Sequence, residues 1–117
     1  MNVPIDDDEL VEHIVGHLSE EQAEALDGMS DSEIERRVRL GLVRARINGF
    51  TDPEPATAFV TLMFLVSPCF DQQPSIAAAI RSASGSPAER LRALFGKTKE
   101  SDWDEAATAG SWEDVVV

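Results

Sequence analysis

Tyrosine is absent from this chain of 117 residues, cysteine occurs once, and ten Lys and Arg face twenty-two Asp and Glu. Each scarcity excludes something. A lone Cys69 permits no intrachain disulfide and no cysteine-based zinc site. Secreted domains of this size more often carry several paired cysteines, so a reducing compartment is expected. The shortage of basic residues leaves a net charge of −12 and a pI near 4.4. A surface of that sign repels phosphate backbones and anionic membranes, which argues against nucleic-acid and lipid-surface roles. Long apolar runs are missing too. The longest, Phe59 to Val66, falls far short of the ~20 residues that span a bilayer. Met1 is followed by Asn2, Val3, Pro4 and then acids, without the basic and apolar regions of a signal peptide. The chain reads as soluble and cytoplasmic, with no membrane insertion.

What is present is enough apolar residue, 43%, for one core, and helix signals from end to end. Asp6, Asp7 and Asp8 precede Leu10, Val11, Ile14, Val15 and Leu18, which suits a helix whose N-terminal N–H groups meet carboxylates. Ser19 to Gln22 has the Ser-x-x-Gln form of a capping box, predicting a second short helix to Leu26, with Gly28 ending it. Ser30 or Ser32 caps a third helix that runs to Asn48, with Gly49 as its C′ residue. Ile34, Val38, Leu42 and Ala45 share one face of it, and Leu40, Val43 and Ile47 nearly the opposite face. Two apolar stripes predict a central helix packed from two sides. Gly41, in its middle, costs about 1 kcal/mol against alanine unless a neighbour approaches closely there.

Asp52 and Pro53 open the next helix, apolar all round from Ala56 to Val66 and expected to be the most buried element, which Ser67-Pro68 ends. A short helix from Pro74 to Arg81, another opened by Ser86-Pro87 with Ala88, Leu91, Leu94 and Phe95 inward, and a turn around Ser101 to Glu105 complete the order. The fold class is all-α, a compact bundle of five or six short helices with the two-sided helix at about residues 31–48. Residues 1–110 form a single helical domain, with acidic N-terminal helices over 6–27 and a core over 31–107, and residues 111–117 a loose apolar tail.

Enzyme chemistry finds no foothold. His13 and His17 stand four apart, a spacing that can share a metal, but they lack the Glu of a His-Glu-x-x-His motif in its place and any evident third ligand. The run Asp6 to Glu9 lacks the alternation and central glycine of a calcium loop. Nothing sets a histidine beside Cys69, which reads as structural. Phosphate loops and nucleophile elbows are absent. No catalytic residue, metal or cofactor is expected. The five arginines Arg36, Arg37, Arg39, Arg44 and Arg46 read as internal ion-pair partners, with Glu33–Arg37 and Glu35–Arg39 at i,i+4 spacing. The acids, by contrast, are segregated. Twelve lie between Asp6 and Glu35, ahead of the first basic residue, Arg36. A one-sign stretch on amphipathic helices suits steering toward a basic protein surface, and it also serves solubility.

The stretch Arg37-Val38-Arg39-Leu40-Gly41-Leu42-Val43-Arg44-Ala45-Arg46, the subsequent Gly49-Phe50, the run from Ala58 to Asp71, then Pro74, Ile76, Ser86 to Leu91 and Asp102-Trp103 form a pattern over about residues 34–107. It resembles a family of small helical proteins of Gram-negative bacteria encoded with type VI secretion components and their effectors. The resemblance brings no catalytic residues. It implies a non-enzymatic protein-binding module of an interbacterial toxin system, either an effector accessory of chaperone type or an immunity protein. The expected partner is a cognate effector or toxin with a basic surface, met by Asp7, Asp8, Glu12, Glu20, Glu21, Glu24 and Trp112. The alternative is a small homo-oligomeric structural or regulatory protein that uses the tail from Trp112 to Val117 as its interface.

Overall fold

Six α-helices and three short 3-10 turns make up the described part of the chain in a computed structural model, which describes residues 7–82, 85–108 and 110–115. The helices are α1 (Asp7–Glu21), α2 (Asp31–Ile47), α3 (Pro53–Leu65), α4 (Pro74–Ser82), α5 (Pro87–Gly96) and α6 (Glu100–Ala106). No strand occurs among the described residues. The fold is therefore an all-α bundle, with a Cα radius of gyration of 13.8 Å, close to the ~13 Å of a folded chain of about this length. Among the described residues no helix is long and apolar enough to cross a membrane.

Local chemistry sets most of the boundaries. Ser30 Oγ accepts the Glu33 N–H at 3.2 Å and starts α2. At its other end Gly49 turns left-handed (φ 88°), so that Phe50 N–H reaches Ala45 O at 2.8 Å and Gly49 N–H reaches Arg46 O at 3.0 Å. This is the Schellman closure that glycine permits without a Cβ penalty, and it drives Phe50 into the core. Pro53 sits at N1 of α3, where its missing N–H is harmless. Inside α3, Thr57 and Thr61 return their hydroxyls to Pro53 O (2.6 Å) and Thr57 O (2.7 Å), which lets two polar residues lie in an apolar helix. Ser86 Oγ accepts Glu89 N–H and opens α5.

The N-terminal boundary differs from expectation. Ser19 to Glu21 belong to α1, and Gln22 N–H continues the ladder to Leu18 O at 2.8 Å, so no capping box forms. The chain then makes one 3-10 turn, Ala23–Leu26, without a side-chain cap. The reason is the core: Leu10, Ile14 and Leu18 repeat every four residues on one buried stripe, and burying Leu18 keeps the helix wound past Ser19.

Both α1 and α3 pack on α2. They meet the face of Ile34, Val38, Gly41, Leu42 and Ala45, all buried. A Cβ on Gly41 would lie 3.0 Å from Val60 Cγ2 and 3.3 Å from Met63 Sδ, so this glycine exists for the close approach of α3. The second packing face expected on α2 is corrected. Leu40 is partly buried against the core, but Val43 is 39% exposed and Ile47 59%. The two neighbours share one broad face, and the opposite stripe keeps an apolar edge in solvent. Burial of α3 is likewise not all round, since Leu65 is half-exposed. On α5, Leu91 and Leu94 point inward as expected, while Phe95 is half-exposed and the Ala88 side chain lies outside the described residues.

Aromatic rings tie distant parts of the bundle together. Phe50, Phe59, Phe70, Trp103 and Phe95 form a chain with centroid spacings of 5.5, 5.0, 5.9 and 5.4 Å. Phe64 and Trp112 form a separate pair at 4.9 Å. Trp112 is only 8% exposed, and Val115 packs against the core beside it. The expected loose tail is thus corrected as far as Val115: one large ring finds an apolar slot and folds the segment back. Val116 and Val117 lie outside the described residues.

Candidate functional site

The acidic N-terminal segment lines a cleft of about 640 Å³ between α1 and α2. Asp8 and Glu12 from α1, and Asp31 and Glu35 from α2, rim it, with Val11 and Val15 as its apolar floor. Among the described residues that line it, Arg39 is the one cation. Its guanidinium donates to Asp8 at 2.8 Å and to Glu35 at 2.9 Å, pinning the start of α1 to the middle of α2. Four carboxylates against one guanidinium leave the cleft strongly negative, and its low-dielectric floor sharpens that field.

The expected contact residues fall in several places. Asp8 and Glu12 line this cleft. Glu20 joins Glu12, His13, Gly16 and His17 in a shallower groove of about 290 Å³ on the outer side of α1. Glu21 and Glu24 are exposed at the end of α1 and in the turn after it. Asp7 is the first residue of α1, and its side chain lies outside those described. Trp112 is corrected: it is buried under Arg37 against Phe64, so it is an internal anchor rather than an exposed contact. Glu20 and Glu21 stand in the last turn of α1, where no basic residue accompanies them. Acids at the negative end of a helix dipole cost about 0.3–1 kcal/mol each. Folding does not require them there.

Arg37 and Arg39 pair with Glu33 and Glu35 as their i,i+4 spacing implies. Arg36 and Arg37 converge on Glu33 at 2.6 and 2.7 Å, and Arg37 also reaches Met29 Sδ at 3.5 Å. The guanidinium of Arg36, and next that of Arg37, hold the Glu33 carboxyl down from 4.5 to about 2. A group whose pKa falls on folding stabilises the native state fully above its unfolded pKa and loses that contribution as pH drops toward the folded value. Glu33→Gln should therefore flatten the loss of stability between pH 4.5 and about 2, read as urea midpoints across that range. A variant as acid-sensitive as the parent there would refute the assignment.

The histidines face elsewhere. His13 and His17 line a groove of about 700 Å³ between α1 and α3, with Glu9, Pro53, Glu54, Thr57 and Ala58. Among the described residues no three His, Cys, Asp or Glu side chains converge as metal ligands. Cys69 is buried in the segment after α3 and does not line that groove, and its thiol lies 3.8 Å from the Ser111 carbonyl.

Sequence reasoning missed a buried polar knot. Asp71, fully buried, accepts from the Arg44 guanidinium and from Asn48 Nδ2 at 3.0 Å. Arg90 donates to Asn48 O and Ile80 O, both at 3.1 Å, and lies over the Phe50 ring, joining the ends of α2 and α4 to α5. Gln73 Oε1 takes the Ile76 N–H at 2.8 Å, and its amide meets Asp102. A signal for the first existed: an acid directly after the apolar Pro-Cys-Phe run needs a cation, and Arg44 stands among buried positions of α2. The role of these groups is to hold the fold together.

Comparison with protein-family models, with curated proteins and with solved structures finds no match to this chain.

Proposed function

We propose that the chain is a non-enzymatic protein-binding module of the bacterial cytoplasm that captures a basic segment of a cognate effector in a type VI secretion setting. The observation that carries the binding role is the α1–α2 cleft, rimmed by Asp8, Glu12, Asp31 and Glu35 over Val11 and Val15. An apolar floor under a carboxylate rim fits a segment that alternates Lys or Arg with aliphatic residues. The charged rim speeds encounter and selects for sign, and the floor slows release. The type VI setting rests on the sequence resemblance, and within it the module acts as an effector accessory or as an immunity protein.

The test is co-expression with the products of adjacent genes, then pull-down and calorimetry at low and high salt. A basic effector should be recovered, its affinity should fall with salt, and Glu12→Lys with Asp31→Lys should weaken it by at least about tenfold. Failure to recover any effector, or a salt-independent complex, sinks the reading. Protection of cells from the neighbouring toxin separates immunity from accessory function. A second reading, self-association, is favoured by the exposed Val43 and Ile47 on α2 rather than by the tail. Light scattering over a range of concentrations distinguishes it.

A further inference from the structure

The chain leaves α2 through Asn48-Gly49, and the fold uses both residues. Gly49 is left-handed (φ 88°), and a Cβ there would lie 2.6 Å from Arg90 Nη1, so glycine suits the turn on two counts. Asn48 belongs to the buried polar knot. Its Nδ2 donates to Asp71 Oδ2 at 3.0 Å and to Arg44 O at 2.9 Å, and its carbonyl accepts from Arg90 at 3.1 Å. Asparagine is also a chemically labile residue. It is most labile where the next residue has no side chain to shield its backbone nitrogen.

The lability comes from closure of a five-membered ring between the Gly49 nitrogen and Asn48 Cγ. That ring contains Asn48 Cβ and Gly49 N on neighbouring atoms, so it closes only where these two eclipse across the Cα–C bond. Asn48 has ψ at 2°, which eclipses Gly49 N with the Asn48 backbone nitrogen instead. Gly49 N–H is tied to Arg46 O at 3.0 Å, while Asp71 and Arg44 hold the carboxamide. The two reacting groups are therefore anchored out of line. We propose that Asn48 is a site of spontaneous intramolecular deamidation, held in check by the knot around Asp71, and that its product undoes that knot.

In the reaction Gly49 N gives its proton to solvent and bonds to Asn48 Cγ. The Cγ–Nδ2 bond breaks, and Nδ2 leaves as ammonia with a proton taken from solvent. Water then opens the succinimide at either carbonyl, leaving aspartate or isoaspartate. Both products replace a donor amide with a carboxylate facing the buried Asp71, whose cation is Arg44. Isoaspartate also lengthens the backbone by one atom. That displaces the bonds from Gly49 and Phe50 N–H to Arg46 and Ala45 O, which seat Phe50 in the core.

The test incubates full-length protein in mildly alkaline buffer, native and in high urea, and follows Asn48 by proteolysis and mass spectrometry. The unfolded chain should convert at least about tenfold faster than the native one, into paired aspartate and isoaspartate products. Asp71→Leu, which frees one anchor of the carboxamide, should raise the native rate severalfold. Phe95→Ala, a destabilising change away from the knot, should not. Equal native and unfolded rates, aspartate as the sole product, or Phe95→Ala converting as fast as Asp71→Leu overturns the proposal. Should Asp71→Leu fail to fold by circular dichroism, the product made directly decides the matter. Asn48→Asp should then lower the urea midpoint, and a midpoint equal to that of the wild type overturns the proposal.

Discussion

Arg44→Met should destabilise the bundle by about 3–5 kcal/mol, because it leaves a buried carboxylate without its counter-charge. The Asp71 side chain is 1% exposed and that of Arg44 16%. Methionine keeps much of the length of the arginine stem, so the effect isolates the lost charge from lost packing. Asp71 would then retain the Asn48 amide on Oδ2, while Oδ1 is already buried with no hydrogen-bond partner among the described residues. The asymmetry of burial makes the reciprocal change milder. Asp71→Leu releases a guanidinium that already touches solvent and can turn toward it, for an expected cost of about 1–2 kcal/mol. Combining the two should recover most of the loss, since apolar pairs often replace buried ion pairs without penalty. Urea titrations of the four proteins form a double-mutant cycle that reads the coupling directly. Were Arg44→Met no worse than Asp71→Leu, the carboxylate would not be the group in need.

That knot marks where sequence reading stops. Features written within a few residues were legible: Ser30 and Gly49 bracket α2, Asp52-Pro53 opens α3, Ser86 caps α5, and Glu33 and Glu35 find arginines one turn on. The cost of Gly41 also pointed correctly to a close neighbour, which is Val60. Features that depend on which element lies opposite were not legible. Val43 and Ile47 show the same helical period as a buried stripe, and only the placement of α1 and α3 decides that they stay in water. The Ser19–Gln22 pattern lost to continued burial of Leu18. Trp112 looked like part of a tail because its slot is assembled from Phe64 and Arg37, far away in sequence. At the acidic cleft the sign of the charge was evident from the order of residues. That Asp8 and Glu35 would share Arg39, and that Val11 and Val15 would floor the space between, required the α1–α2 pairing.

The ring chain gives the other large effect. Phe59→Ala should lower stability by about 3–5 kcal/mol, the range for deleting a fully buried aromatic side chain. Phe59 is entirely buried and touches Phe50 at 5.5 Å and Phe70 at 5.0 Å, so its removal breaks the chain in the middle and opens a cavity under α3. Phe95→Ala, at the half-exposed end of the same chain, removes one stacked contact with Trp103 and should cost about 1 kcal/mol. Thermal and urea unfolding of both variants checks the contrast, and similar losses would mean that the rings do not act through burial. Because α3 packs on both α1 and α2, Phe59→Ala also loosens the frame that sets the width of the acidic cleft. Its charges are untouched. Under the proposed function, effector binding by this variant should therefore keep the salt dependence of the parent while the folded fraction falls, whereas the lysine substitutions in the cleft should change the salt dependence itself.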